Sequence, residues 1–525
     1  MTQMMQHCAG LKTKRNEAFL AIAESLRPDL YCEIRHPVGL IETVADAQEL
    51  HGWKAVQAGE KEDIYQQVIK PGEEFIVDLG THCVGYITLS FESVGSPPDA
   101  PAHVQLIFGE TLAEMAEPFS EYQGWLSSSW LQQEDIYIDV LPATLSLSRR
   151  YCCRYVKVRV ISTSPKFNLR LRDIHIQHVS SADMTSLLPL MTQDSLLKRI
   201  DDVSVLTLHN CMQDVFEDGP KRDRRLWLGD LRLQAQVAYY TFEGSADLVK
   251  RCLYLFAGVT REDGLVSANL FMKPDVIPDD TFLFDYSLFF VSTLHDYVQV
   301  TQDLSTLADL WPTAYRQIEL ALEHVDDRGI IQDQDYWWSF VDWHDALNKQ
   351  ASSQGIFIYV LSHAINLARL IDREKIIFLE KVQDELKANA LKILWDEEKK
   401  FFISGKEKQI SFASQVWLIL SEVGDKEFRK KLIERLYNYP PEIKLRTPYM
   451  MHHFIDALMQ EGEVERAIME IKRYWGGMIK LGADTFWELF DPDNLNHSPY
   501  GSKIINSYCH AWSCTPAYFI RKYSL

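Results

Sequence analysis

The sequence predicts a two-part chain, all-β then all-α: an N-terminal antiparallel β-sandwich over residues 1–187, followed by an (α/α)6 six-hairpin barrel over residues 188–525. Three observations carry this reading. Before about residue 185, short β-rich runs alternate with turn residues, and after about residue 190 apolar residues recur almost throughout at intervals of three and four. The length of 525 residues also exceeds what one ordinary hydrophobic core serves.

Glu74–Asp78, Gly85–Phe91, Ala102–Phe108, Asp135–Val140 and Arg154–Val160 each show the period-two alternation of a half-buried strand. Gly95-Ser96-Pro97-Pro98-Asp99-Ala100-Pro101 is a turn between two of them. Such strands in succession imply an antiparallel sandwich. The helical half reads as Ser195–Met212, Leu231–Thr241, Ala246–Ala257, Tyr286–Val300, Leu304–His324, Gly355–Ile371, Glu374–Leu394, Ser411–Glu422, Lys426–Tyr437, Met450–Glu461, Val464–Trp475 and Ser502–Tyr518. Twelve such segments joined mostly by short loops fit six antiparallel hairpins. A helical-repeat solenoid is the alternative, and no sequence signature repeats at a fixed period to support it.

Composition narrows the function. An apolar fraction of 46% and a charged fraction of 24% are those of a soluble globular protein. A net charge of −20 argues against binding a nucleic-acid backbone. No window reaches the roughly 18 consecutive apolar residues of a membrane span, and the first thirty residues show no signal-peptide core, so the expectation is a cytoplasmic protein. The nine cysteines are scattered without C-x-x-C spacing, which suits reduced thiols and offers no zinc motif. His452 and His453 are adjacent and cannot converge on one ion within a helix. Neither a metal nor another cofactor is expected.

Chemistry concentrates in four segments. Residues Asp218–Asp230 hold three carboxylates, four cations and Trp227 behind a Gly219-Pro220 turn. Alone, such a run is most often a solvated, ion-paired loop. Three longer loops, Met272–Asp280, Asp333–Asp345 and Gly482–Asp491, are also rich in acids, and the last two interleave them with aromatic residues. Flat apolar rings and carboxylates together suit a sugar, whose faces stack and whose hydroxyls donate. Cleaving a glycosidic bond further needs a pair of carboxyl groups.

The 218–230 run resembles the signature D-x-P-x-R-D-E-R-x-G-W-x-G-D of the α-L-rhamnosidases of glycoside hydrolase family 78. Three further matches follow in order. Phe340-Val341-Asp342-Trp343 is similar to the family's G-D-W, and Trp475–Met478 with Gly482–Glu488 to its W-G-x-M…G-A-T-T-x-W-E. Ser507-Tyr508-Cys509-His510-Ala511-Trp512 is similar to its late S-x-x-H. In the strand-rich leader, Val77–Gly80 and Val84–Ile87 resemble the family's N-terminal sandwich module.

The resemblance implies an inverting hydrolase of terminal α-L-rhamnosyl groups on small glycosides or oligosaccharides. It implies Glu488 as general base, with Asp218, Arg222 and Asp230 holding sugar hydroxyls, Trp227 and Trp343 walling the apolar side of a 6-deoxy sugar, and His510 donating to a hydroxyl. Asp342 either supports the site or caps its loop. The acid departs from the pattern: R-D-E-R reads Arg222-Asp223-Arg224-Arg225, and the run is one residue shorter before the tryptophan. Counting back from Trp227 and Asp230 places Asp223 at the acid position, where Arg222 and Arg224 would oppose the raised pKa an acid needs unless they point away.

The chain stops after the last predicted helix, where many family members continue into another β-sandwich, and a partner subunit covering that edge is expected to give a homodimer. A monomer mass in solution scattering would contradict it. A rhamnoside lyase, a different (α/α)6-barrel glycosidase and a sugar-binding protein without catalysis remain as alternatives.

Overall fold

The computed structural model describes residues 11–332 and 336–525; Asp333, Gln334 and Asp335, at the head of the loop singled out above, lie outside the described residues, as do the first ten. In chain order the strands of the N-terminal half are β1 (Thr13–Arg15), β2 (Tyr31–Arg35), β3 (Gly39–Ala45), β4 (Trp53–Glu60), β5 (Glu74–Gly95), β6 (Ala102–Gly109), β7 (Gln132–Ile138), β8 (Ala143–Ser146), β9 (Tyr151–Ser162) and β10 (Phe167–Ser180). The helices are α1 (Glu17–Ser25), α2 (Leu112–Ala116), α3 (Ser195–Cys211), α4 (Leu228–Thr241), α5 (Ala246–Gly258), α6 (Phe284–Thr301), α7 (Leu304–Leu322), α8 (Gln350–Ile371), α9 (Ile376–Asn389), α10 (Phe412–Leu420), α11 (Lys426–Asn438), α12 (Pro448–Glu461), α13 (Val464–Lys480) and α14 (Pro516–Tyr523).

The sheet runs β2-β10-β5-β9-β6-β7, with β3 and β8 also on β5 and β4 on β3. Its pairings are antiparallel. Alternation drives it: along β10, buried Phe167, Leu169 and Leu171 are separated by Asn168 and Arg170, which stay more exposed. The 22-residue β5 pairs with β3 and β9 at its start; its register with β9 breaks between Asp78 and Cys83, and its later part pairs with β10 and β8. Both parts feed one core, Val77 from the first and Leu89 and Phe91 from the second, packed with Val104, Val158 and Leu171.

Among the described residues, the twelve helices α3–α14 form two rings. The inner ring is α4, α6, α8, α10 and α12, closed by α14, which packs on α4, and by the 3-10 turn Ala511–Ser513, which packs on α4 and α12. The others alternate outside, each packing on inner neighbours: α5 on α4 and α6, α7 on α6 and α8, α11 on α10 and α12. Composition explains the sorting. Helix α8 buries Ile356, Phe357, Ile358, Val360 and Leu361, more than one face's worth, whereas α11 buries only Leu432, Ile433 and Leu436. Helix α8 is long and apolar enough to cross a membrane by length and composition, and 61% of that window is buried in the barrel.

Three segments differ from their expected places. The first described residues leave the sheet: β1 pairs with Val259–Arg261 and α1 packs on α5, so both sit on the helical half. Helix α4 begins at Leu228 rather than Leu231, which puts Asp230 in its first turn. Segment 502–518 is not one helix. The backbone N–H groups of Tyr508, His510 and Ala511 go instead to Glu110 Oε2, Phe486 O and Asp218 O, and α14 starts only with Pro516, whose missing N–H suits a first turn. Its apolar spacing reflects burial against three other segments, which a helical period imitates over so short a run.

Candidate active site

The loop between α3 and α4 is closed by its own first carboxylate. Asp218 accepts the N–H of Asp223 on Oδ2 and of Arg225 on Oδ1, both at 3.0 Å, and its own N–H donates to Arg225 O at 3.0 Å. Gly219 is required at the turn, since a Cβ there would lie 2.5 Å from the Arg222 carbonyl oxygen. The Arg222–Asp223 peptide is cis, and Arg224 has φ +62°.

The four cations of this loop turn inward or across it. Lys221 is fully buried and donates to Glu114 Oε1 at 2.7 Å and to the carbonyls of Ile504 and Asn506 at 3.1 and 3.2 Å, with Glu110 Oε2 at 3.6 Å. Glu110 and Glu114 belong to the sheet domain, so Lys221 fastens that domain to two loops of the helical one. Arg222 donates to Ile505 O at 2.6 Å and to Glu488 Oε2 at 2.7 Å, with its guanidinium 4.1 Å from the Tyr500 ring centre. Arg224 donates to Lys221 O, and Arg225 faces Asp279 at 3.6 Å. This run is therefore no solvated charge cluster.

Asp218, Arg222, Asp223, Trp227, Asp230, Trp343, Glu488 and His510, all eight residues singled out from the sequence, line one cavity of about 190 Å³. Glu488 is held at both oxygens: Tyr500 OH donates to Oε1, and Oε2 takes Arg222 and the Ser507 N–H at 3.3 Å. Asp223 makes no such ion pair. Burial pushes its carboxyl above the usual range; Arg222 and Arg225 oppose that push, while the Glu488 and Asp279 charges add to it, and burial wins. The cations beside it therefore do not reverse that upward push.

Deeper in the cavity, Asp230 Oδ1 and His510 Nδ1 face each other at 3.6 Å, and both are buried without a hydrogen-bond partner. Burial, then the charges of Asp218 and Glu488, hold the Asp230 carboxyl well above its ordinary value. Burial and the neighbouring Asp223 charge push Asp218 up to about 8. Burial, then Arg222, hold His510 well below its ordinary value, so its imidazole is neutral. Asp230 and His510, with hydrogen-bonding capacity left unmet beside the Asp218 carboxyl, suit hydroxyl groups, which donate and accept at once.

The remaining wall is aromatic: Trp227, Tyr286, Trp338, Phe340, Trp343 and Trp512. Asp342 turns away from it. Its carboxylate takes the N–H groups of Trp343, Arg446 and Thr447 and the Thr447 hydroxyl, so it clamps its loop to the start of α12. Sequence reasoning missed Tyr286, Trp338, Tyr500 and the pair Trp125-Leu126, which comes from the sheet domain. Phe340 and Trp512 lay inside the matched motifs and Trp338 inside the aromatic-rich loop Asp333–Asp345; the others carried no local signal.

Among the described residues, three groups bring His, Cys or carboxylate ligand atoms within 4.8 Å of one another: His36–Asp173–His175, His82–Glu110–Cys152 and His295–Asp296–His363. None of them lines this cavity. His82–Glu110–Cys152 is already internally hydrogen-bonded, with Lys221 Nζ 3.6 Å from Glu110.

Comparison with known proteins decides the lineage. Residues 37–178 match the glycosyl hydrolase family 78 alpha-rhamnosidase N-terminal domain, and residues 187–523 match the bacterial alpha-L-rhamnosidase six-hairpin glycosidase domain. The chain belongs to the α-L-rhamnosidases of glycoside hydrolase family 78. The likeness also extends over a whole chain: a rhamnosidase from Klebsiella oxytoca solved with rhamnose bound is 54% identical, with 98% of this chain and 100% of that one covered at a TM-score of 0.97. The family 78 rhamnosidase of Bacillus sp. GL1 shares the fold at 24% identity and a TM-score of 0.74, over 86% of this chain and 47% of that one. The α-L-rhamnosidase from Dictyoglomus, at 18% identity and a TM-score of 0.65, matches over 89% of this chain and 54% of that one. Comparison with curated protein sequences returned no significant match.

Proposed function

We propose that this family 78 α-L-rhamnosidase releases terminal α-L-rhamnosyl groups with inversion, Asp223 acting as general acid and Glu488 as general base. The observation that carries the reading is the contrast between these two carboxyl groups in one cavity. Asp223 sits where burial favours the protonated form, and Glu488 has both oxygens held by donors, one of them the Arg222 guanidinium. A carboxyl group that burial keeps protonated can give up a proton, and one held in place by donors can orient a water.

Asp223 delivers its proton to the glycosidic oxygen as the C1–O bond breaks, and the leaving group departs as the neutral alcohol. Glu488 takes a proton from the water that attacks C1 from the other face, so the product is the β anomer. Asp218, Asp230 and His510 bind the hydroxyls, and the aromatic wall receives the apolar face and methyl of a 6-deoxy sugar. A cavity of about 190 Å³ suits one sugar ring, in keeping with terminal residues of small glycosides. Rhamnose in the Klebsiella oxytoca rhamnosidase supports the same substrate class.

Hydrolysis of an aryl α-L-rhamnoside followed by proton NMR tests this. β-L-Rhamnose is expected as the first product, and α-L-rhamnose first would overturn inversion. Asp223→Asn and Glu488→Gln are each expected to lower kcat by about 10²–10⁴-fold with the thermal transition retained. Near-wild-type turnover in a variant would refute that residue's role.

A further inference from the structure

Trp125 and Leu126 line the cavity although they belong to the sheet domain, in the loop between α2 and β7. Trp125 is 50% exposed and is the one tryptophan among the described residues left so open. An aromatic surface of that size is normally covered.

This ring is nonetheless fixed in place. Its indole N–H donates to Pro499 O at 2.9 Å, and its backbone N–H donates to Tyr500 O at 3.1 Å. Its ring centre lies 5.6 Å from that of Tyr500, whose hydroxyl donates to Glu488. Leu126 packs in the same apolar cluster as Trp343 and Tyr500. Trp227, Trp338 and Trp343 are the other partly exposed tryptophans of the lining. With the groups assigned to the reaction centre set aside, Thr281 and the Tyr286 hydroxyl are the polar groups left in the lining, among Leu126, Leu283 and the tryptophans. A sugar as leaving group would find few further partners for its hydroxyls in this lining, whereas a flat apolar ring needs none.

We propose that Trp125, with Leu126, forms the subsite for the leaving group, a stacking platform lent by the sheet domain and selective for an aromatic aglycone. This rests on the hydrolytic reading above. It makes the sheet domain part of the specificity of the reaction, in addition to the buried Lys221 fastening.

The test compares kcat/KM for an aryl α-L-rhamnoside, methyl α-L-rhamnoside and a rhamnosyl-glucose disaccharide in the wild type, Trp125→Ala and Trp125→Phe. The aryl-to-methyl ratio is expected to fall roughly tenfold in Trp125→Ala, mainly through KM, and to recover in Trp125→Phe. An unchanged ratio, or a loss shared equally by the aryl and methyl substrates, would overturn the platform and leave Trp125 as a support for Tyr500. A loss larger on the disaccharide than on the aryl substrate would overturn the aromatic preference. If wild-type protein turned over none of the three, the hydrolytic reading itself would fall and this proposal with it.

Discussion

Arg222 donates to Glu488 Oε2 across 2.7 Å, joining two motifs 266 residues apart in the chain. The same guanidinium reaches Ile505 O, so one side chain ties the loop of Asp223 to Glu488 and to the segment behind it. The cation next to Asp223 thereby serves the opposite carboxylate.

Replacing Arg222 removes a charge-assisted bond worth about 1.5–3 kcal/mol, so Arg222→Gln should lower kcat/KM by roughly 10- to 150-fold. Arg222→Lys should rescue little, because one ammonium cannot reproduce the fork that holds Ile505 O and Glu488 together. Steady-state kinetics on an aryl rhamnoside decide the point; a Lys variant with wild-type efficiency would show that the geometry is dispensable.

Arg225 opposes the raised Asp223 pKa and also faces Asp279, whose charge adds to it. In Arg225→Gln the opposing cation is gone and Asp279 is unpaired, so both changes move the acid upward. Activity that needs protonated Asp223 is lost as pH rises through its pKa. The alkaline limb of kcat/KM should therefore move to higher pH than in the wild type. A shift to lower pH would contradict Asp223 as the group that titrates there.

Gly229 stands one residue before Asp230, and a Cβ on it would lie 2.4 Å from the Tyr286 ring. Helix propensity alone makes Gly→Ala stabilising by about 1 kcal/mol. The clash with a buried ring of the cavity wall should reverse that sign, costing roughly 1–3 kcal/mol, and should raise KM by displacing Tyr286. A higher melting temperature for Gly229→Ala would show that Tyr286 yields freely.

Asp230→Asn replaces a buried carboxyl whose pKa is held far above its unfolded value near 3.9. The native state keeps that proton after the unfolded chain has lost it, so wild-type stability declines as pH rises from the unfolded pKa toward the raised native one. Asparagine does not titrate. The melting-temperature difference, variant minus wild type, should thus grow more positive between pH 5 and pH 8, while rhamnoside turnover falls with the lost sugar contact. A difference constant across that range would place the Asp230 pKa elsewhere.

Much of the fold was legible because alternation and helical period are local. The strand at Ala102–Phe108 and the helix at Ala246–Ala257 emerge within a residue or two of their predicted bounds. All eight candidate residues meet in one cavity, and they could be named beforehand because the motifs carrying them were recognisable without coordinates. Segment 502–518 misled, since its apolar residues are spaced like a helix face yet are buried by contact with residues 218, 486 and 110. Tyr500 and Trp125 gave no sign at all. Each matters through a contact to a distant segment, and nothing in its own neighbourhood of sequence marks it.

By itself, then, the sequence determined the two-part architecture and the lineage and put Asp223 forward as the candidate acid, all of which depend on residue order and short-range pattern. Only the tertiary structure decided where the four cations of the 218–230 loop point, and with them whether Asp223 keeps the character of an acid. Local pattern could not supply that answer, because the direction of a guanidinium is set by acceptors such as Glu488 and Ile505 that reach it only after the chain has closed the barrel.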